Sequence, residues 1–159
     1  MSEEIRVLAV KQPFASLIVE GLKTIEVRSR TTQIRGRIAI YASKTPLSLD
    51  DCEHVNSIVW ELLRKKITLP SKYYAPYNYK HFPTGQILGT VELESCEKLG
   101  IADFSREESG RYLSFAPGIQ RGKSYFWHLK NPVKFENSIP YKPPKGAVVW
   151  SKTTLPEEY

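Results

Sequence analysis

The chain has 159 residues, of which 41% are hydrophobic and 25% are charged, a balance typical of one ordinary globular domain and not of a disordered chain. Its 23 Lys and Arg against 17 Asp and Glu give a formal net charge of +6, which favours a polyanionic partner such as RNA or DNA. Cys52 and Cys96 lack the spacing of a disulfide scaffold or zinc site, and the apolar runs are too short to cross a membrane. We expect a cytoplasmic protein without metal or cofactor; the oligomeric state stays open.

The first predicted elements are a strand at residues 5–10 and a helix at residues 13–20. Apolar residues occupy both faces of the strand, as expected of a strand covered on both sides. In the helix, Pro13 suits the first turn and Gly21 suits the C-terminal stop. Three apolar residues at helical spacing form the buried stripe of the helix: Phe14, Leu17 and Ile18.

The second predicted strand carries the charges of interest. Its side chains alternate, so Ile25 and Val27 face one way while Thr24, Glu26 and Arg28 face the other. The apolar pair is expected in the core. The charged pair then lines whatever lies opposite.

The remaining pattern predicts several short strands and one more helix. A turn at residues 35–37 leads to a strand at 38–41, and Ser48 caps the longest helix. Further strands are predicted at residues 86–96, at 125–129 with a continuation at 133–135 after a break at Asn131–Pro132, and at 147–150, with a partly helical stretch at 104–114. Little βαβ alternation is present, so we predict an α+β fold with a closed or half-closed β barrel and helices outside it. A doubly wound fold is the weaker alternative.

Residues 67–85 form a loop rich in proline and aromatic residues. Its rings, interleaved with Lys72 and Lys80, could stack unpaired bases. Alternatively they pack the loop onto the barrel, which we rate as the better interpretation. The rings in question are Tyr73, Tyr74, Tyr77, Tyr79 and Phe82.

Three consecutive stretches resemble an ASCH domain: residues 11–18, 21–29 and 35–44, with residues 125–132 and 144–146 resembling the closing strands of that family. The resemblance implies a single ASCH domain over residues 1–159, a PUA-like β barrel associated with RNA recognition, and a cleft beside the first helix. Some ASCH-like proteins are RNA-binding modules or pieces of coactivators. A small branch hydrolyses the acetyl amide of N4-acetylcytidine, and nuclease activity has been proposed for others.

Within this expectation, Lys23, Glu26 and Arg28 converge on one cleft that binds RNA or a nucleoside-type ligand. Glu26 would accept hydrogen bonds from a nucleobase amino group, and Arg28 would meet a phosphate or carbonyl. Lys23 would be a point charge for phosphate, or an amine of lowered pKa that acts as base or nucleophile. The plainer alternatives are an ion pair on an outer face and a lysine that interacts with the helix dipole.

Further positive charge surrounds the same segment. Arg30, Arg35, Arg37 and Lys44 are predicted to contact the nucleic-acid backbone, and Ser43 with Lys44 to border the cleft. A solvated charged surface is the alternative.

An amidohydrolase acting on N4-acetylcytidine-like nucleosides is the second hypothesis, with Lys23 and Glu26 as the catalytic residues. The resemblance to that branch is incomplete, because its lysine matches Lys23 but its threonine falls on the position of Glu26. Its glutamate falls near Glu107 or Glu108. A protein-interaction domain with a vestigial cleft is the third hypothesis.

Overall fold

The computed structural model describes residues 3–64, 70–74, 81–98 and 123–157. Over these residues the fold is α+β, with a six-stranded sheet, two α-helices and a short 3-10 helix. The elements are β1 (Glu4–Lys11), α1 (Phe14–Val19), β2 (Ile25–Arg28), β3 (Gly36–Ser43), α2 (Leu49–Arg64), the 3-10 helix (Ser71–Tyr74), β4 (Gln86–Lys98), β5 (Tyr125–Pro140) and β6 (Trp150–Thr154). The predicted stretch 104–114, with Glu107 and Glu108, lies outside them.

The sheet has the strand order β2-β5-β4-β3-β1-β6, with β1 and β3 parallel and the other neighbours antiparallel. The prediction of a closed or half-closed barrel is therefore supported only in part, since β2 and β6 are the two edges of the sheet and no closed barrel is found among the described residues. The sheet nevertheless curls. Arg28 Nη2 of β2 donates to the Ala9 carbonyl of β1 at 2.8 Å, and the rings of Trp127 and Trp150 stack with centroids 5.8 Å apart. Side chains bridge the gap because β2, with four residues, offers little backbone for pairing.

The core lies inside this curl. Alternate residues of β1 and β3 point into it and meet the apolar faces of both helices: Leu8, Val10, Ile38, Ile40, Leu17, Ile18, Val55 and Ile58. The intervening residues Val7, Ala39 and Tyr41 form a smaller cluster with Phe135 on the other face. The prediction of a strand buried on both faces is confirmed for β1, and β3 is buried on both faces as well.

Side chains cap the starts of both α-helices. The amide of Ser16 donates to Gln12 Oε1 at 3.0 Å, and the amide of Asp51 donates to Ser48 Oγ at 3.1 Å. These bonds satisfy amides that have no partner within a first helical turn. The predicted Ser48 cap is confirmed.

Helix α1 ends in a Schellman motif that fixes where the next residues go. Gly21 has φ 78, its amide donates to the Ile18 carbonyl at 3.0 Å, and the Leu22 amide donates to the Leu17 carbonyl at 2.9 Å. Glycine reaches this left-handed conformation without steric cost. The predicted stop at Gly21 is confirmed, and α1 is one residue shorter at each end than predicted.

Two predictions for the C-terminal half need correction. The last strand begins at Trp150 and not at Ala147, and its residues Ser151 to Thr154 are polar because β6 is an edge strand. The expected break at Asn131–Pro132 does not divide β5. Instead Asn131 takes φ 50 and the strand continues with shifted register.

The aromatic loop is anchored by two of its rings. Tyr73 and Phe82 are buried, with ring centroids 5.3 Å apart, and the Tyr73 hydroxyl donates to Glu20 Oε2 at 2.6 Å. The packing interpretation is confirmed for these two. Tyr77 and Tyr79 lie outside the described residues.

Candidate functional site

A cleft of about 450 Å³ opens where β1 and β3 end, beside the start of β2. Helix α1 contributes Phe14 to its wall, and the start of α2 contributes Asp51. Its remaining polar and charged lining comes from Lys11, Lys23, Glu26, Arg28, Ser43 and Thr45. Three cations and two carboxylates among these groups leave the cleft positively charged.

Lys23, Glu26 and Arg28 meet at the floor of this cleft. Lys23 Nζ lies 3.5 Å from Glu26 Oε1, and Arg28 contacts Glu26 Oε2 through Nη2 at 2.9 Å and Nε at 3.2 Å. The Schellman turn brings Lys23 there, since its backbone amide donates to the Leu17 carbonyl at 3.0 Å. Strand alternation then places Glu26 and Arg28 on one face of β2.

Lys23 is an almost completely buried ammonium group. Only 1% of it is exposed, and Nζ lies 5.2 Å from the ring centroid of Phe14, so the ammonium borders the cleft from beneath its floor. Burial lowers the pKa of Lys23 to about 8, although Glu26 acts in the opposite direction. At neutral pH the group therefore stays mostly charged but releases its proton far more readily than a surface lysine.

Glu26 is the acceptor that holds both cations. Burial acts to raise the pKa of Glu26, but the charges of Arg28 and Lys23 outweigh it and hold the pKa below its usual value. Oε1 also accepts the Val27 amide at 3.2 Å. A carboxylate has about four lone-pair sites, and here four groups already approach them. Glu26 thus has little capacity to accept a further hydrogen bond from a ligand.

Donors for a ligand remain on Arg28 and Ser43, and the exposed Lys11 and Thr45 also line the cleft. Nη2 of Arg28 also donates to the Ala9 carbonyl, whereas Nη1 has no hydrogen-bond partner among the described residues. Ser43 Oγ accepts the Thr45 amide at 3.2 Å, so the hydroxyl proton of Ser43 is available to donate. The cleft therefore offers donors and positive charge to an oxygen-bearing group.

The sequence model of the ASCH domain family matches residues 8–139, which include every element from α1 to β4. The chain belongs to the ASCH domain family. It is 35% identical over 139 residues to human "Activating signal cointegrator 1", covering 79% of this chain and 22% of that protein. The mouse protein of the same name is 34% identical over 89 residues, covering 56% and 14%. The chain thus spans less than a quarter of the length of these relatives.

The fold also resembles a crystal structure of an ASCH protein from Zymomonas mobilis, determined on a point variant. The two superpose with a TM-score of 0.52 at 19% identity, over 96% of this chain and 88% of the other. At that identity the likeness concerns the ASCH fold alone.

The ASCH cleft brings together half of the predicted site residues. Lys23, Glu26, Arg28 and Ser43 line it. The exposed Lys44 sits beside it without lining it, and its side chain passes over Gly85. Arg30 is exposed beyond the end of β2, and its carbonyl accepts the Trp127 Nε1 proton at 3.0 Å.

Arg35 and Arg37 lie elsewhere on the ASCH domain, in a second hollow of about 440 Å³ at the opposite ends of β1 and β3. Arg35 Nη1 donates to the carbonyls of Thr32 and Ile34, each at 2.8 Å. Arg37 pairs with Glu92 at 3.1 Å.

Sequence reasoning missed several groups that line the ASCH cleft. The sequence predicts Phe14 only as part of the buried stripe of the first helix and Val148 only as part of a strand at 147–150, and it assigns no site role to Lys11, Leu47 or Asp51. In the structure Val148 is 83% exposed at the cleft, which no local sequence pattern indicates. In the part of the chain that the structure describes, no group of His, Cys, Asp and Glu could hold a metal ion, and no helix has the length and apolarity to cross a bilayer.

Proposed function

We propose that this ASCH domain binds RNA or a nucleotide-type ligand in the cleft. Arg28 meets a phosphate or carbonyl oxygen through Nη1, Ser43 donates a second hydrogen bond, and Lys23 adds charge from below. The observation that carries the proposal is the assembly of Lys23, Glu26 and Arg28 in the floor of a donor-rich cleft.

Stability alone accounts poorly for this assembly. A buried ion pair gains little over well-packed apolar residues, because desolvation of the charges offsets their attraction. Among the described residues that line the cleft, three cations stand against two carboxylates, which leaves one positive charge in excess. An anionic ligand would compensate that surplus, and the net charge of +6 would draw such a ligand to the protein.

In this proposal Glu26 positions the two cations and does not read a nucleobase amino group, because its oxygens are already engaged. Arg30, Arg35, Arg37 and Lys44 contribute contacts to phosphates outside the cleft. The site therefore favours ligands that carry oxygen atoms as hydrogen-bond acceptors.

The test is equilibrium binding of labelled single-stranded RNA and of mononucleotides to the wild type and to Arg28→Ala. We expect Arg28→Ala to weaken binding about tenfold, equivalent to ~1.4 kcal/mol. Lys130→Ala is the matched control, since Lys130 is 46% exposed and pairs with Glu94 away from the cleft. Equal binding by wild type and Arg28→Ala, or no binding by either, would overturn the proposal.

The second candidate function is hydrolysis of an acylated nucleoside. The specific observation in its favour is Lys23, whose pKa of about 8 makes the neutral amine accessible beside the cleft. Water would add to the amide carbonyl, and the acid and the free nucleoside amine would leave. Incubation with N4-acetylcytidine tests it: turnover that disappears in Lys23→Ala favours the enzyme, whereas saturable RNA binding without turnover favours the binding module.

A further inference from the structure

The two sides of the curled sheet approach each other along a line that we call the seam, formed by β2 with Arg30 on one side and by β6 with β1 on the other. The stacked rings of Trp127 and Trp150, 9° from parallel, and the bond from Arg28 to the Ala9 carbonyl cross it. The ASCH cleft lies at one end of the seam. The hollow lined by Arg6 and Arg35 lies at the other.

Basic side chains follow the seam between these two ends. Arg28 and Arg30 lie on the β2 side, while Lys152 of β6 is the register partner of Arg6 on β1. Arg6 and Arg30 are exposed, and neither has an ion-pair partner among the described residues. The acidic groups on this path are Glu26, which pairs with Arg28 on β2, and Glu4, whose Oε1 lies 3.5 Å from Lys152 Nζ. Positive charge therefore prevails along the seam.

An aromatic surface lies in the middle of the same path. Trp150 is the register partner of Leu8, between Arg6 and Ala9 on β1, and it is half-buried with one ring face covered by Trp127. Alternating basic and aromatic groups are the features that bind single strands, because the cations meet phosphates and bases stack on rings.

The distance between the two ends decides the size of the ligand. Ala9, which accepts the Arg28 bond at the cleft, is three residues from Arg6, so the strand places the two ends about 10 Å apart. A nucleotide whose contacts are confined to the cleft leaves the arginine hollow free. A short single strand can occupy both.

We propose that a single-stranded polynucleotide lies along the seam, with one nucleotide in the cleft and its backbone on Arg30, Lys152, Arg6 and Arg35. This rests on the proposed function of the cleft and adds to it a second phosphate-binding end. Arg35 suits that end because two carbonyls fix its guanidinium group and leave its other donors for a phosphate.

The test is a length series of cytidylates, from the mononucleotide to the decamer in RNA and DNA forms, with binding measured at several salt concentrations. The seam variant is the double substitution Arg6→Gln, Arg35→Gln. The control is Lys130→Gln, Lys134→Gln, which removes the same charge from exposed positions on the part of β5 that pairs with β4, where the two lysines contact Glu94 and Glu20 and not the groups of the seam.

For the wild type we expect affinity to rise steeply between the mononucleotide and the hexamer. The seam variant is expected to bind the decamer about tenfold more weakly and to reduce the slope of log K against log salt by about 1.4, since each phosphate contact on a single strand contributes about 0.7. Its mononucleotide affinity stays at the wild-type value, and the control binds as the wild type does. Preference for the RNA form over the DNA form would locate a contact to the 2′-hydroxyl.

Several results would overturn the proposal that a single strand binds along the seam. They are equal wild-type affinity for mononucleotide and decamer, an unchanged salt slope in the seam variant, or tighter binding of a duplex than of a single strand. If the mononucleotide binds and affinity does not increase with length, the seam proposal is wrong and the proposed function of the cleft stands. If no ligand of any length binds, both proposals are wrong. Should the double variant fold poorly by circular dichroism, Lys152→Gln tests the same path, with an expected slope change of about 0.7.

Discussion

Glu26 compensates the positive charges of the buried Lys23 and the half-buried Arg28. Its Oε1 faces Lys23 at 3.5 Å, and its Oε2 binds Arg28 at 2.9 Å. Removal of the Glu26 charge leaves the buried cations without compensation, which typically costs about 3 kcal/mol or more. Removal of the Lys23 charge costs less, because the desolvation penalty of the buried ammonium disappears with it.

We therefore expect Glu26→Gln to lower the free energy of unfolding by about 3 kcal/mol and Lys23→Met to lower it by less than about 1 kcal/mol. Urea denaturation at pH 7 measures both. Equal losses from the two substitutions would mean that Glu26 and Lys23 act only through packing. A third variant, Glu94→Gln on the surface, should change stability by no more than about 0.5 kcal/mol, since Glu94 is half-exposed and pairs with an exposed lysine.

The pKa of Lys23 predicts a second effect, in the pH dependence of stability. The folded protein releases the Lys23 proton near pH 8, whereas the unfolded chain keeps it to near 10.5. Because the unfolded state binds more protons across this window, stability rises with pH there and the burial penalty is fully present below pH 8. The difference in unfolding free energy between wild type and Lys23→Met should shift in favour of the wild type by roughly 2 kcal/mol from pH 7.5 to 10. A flat difference would show that Lys23 titrates as a surface lysine does.

The cleft illustrates which site features the sequence could supply. Alternation along one strand placed Glu26 and Arg28 on a common face, and glycine chemistry placed Lys23 just after a helix. Local sequence patterns do not predict the burial of Lys23, because its ammonium group packs on the ring of Phe14, nine residues earlier. The hydrogen bonds and ion pairs that occupy the Glu26 carboxylate come from three residues, so a pairwise sequence pattern does not predict them.

At the scale of elements, the turn after α1 connects the fold to the site. Gly21 has φ 78, and a Cβ there would lie 3.4 Å from Pro132 Cγ. We expect Gly21→Ala to lower the free energy of unfolding by about 1 kcal/mol, because alanine is strained in this conformation. Because the turn also sets the course of Lys23, ligand binding by the cleft should weaken as well. Gly36→Ala, with φ 93 and no atom within 4 Å of the added Cβ, lies at the opposite end of β3 from the cleft and is the control for strain without displacement of the cleft.

The elements that the sequence predicted well are those with strong periodicity or end signals. Strands β1 and β3 alternate between two buried faces, and both helices carry caps or stops that local chemistry requires. The position of β6 was wrong because Ser151 to Thr154 are polar and gain their strand geometry from β1 alone. Asn131–Pro132 was taken as a break because proline lacks an amide donor, yet shifted register lets β5 continue.

At the scale of the whole molecule, the sheet closes its gap with side chains where a barrel would use backbone pairing. One arginine bond from β2 to β1 and one tryptophan stack between β5 and β6 cross the gap. Among the described residues, one edge of β2 and one edge of β6 have no strand partner. No sequence pattern distinguishes such a half-closed sheet from a barrel, since strand alternation is the same in both.

The Trp127–Trp150 stack should therefore hold the edge of the sheet locally. Trp150→Ala is expected to lower the free energy of unfolding by about 2 kcal/mol, less than a fully buried tryptophan would, because Trp150 is only half-buried. Hydrogen exchange should speed up at the amides of β6 and of β1 opposite it, while the central strand β4 keeps its protection. Trp60→Ala on α2 is the matched control, since Trp60 is 59% exposed. Uniform acceleration across β4 and β6 would contradict a local role, because the stack would then support the whole sheet and not its edge.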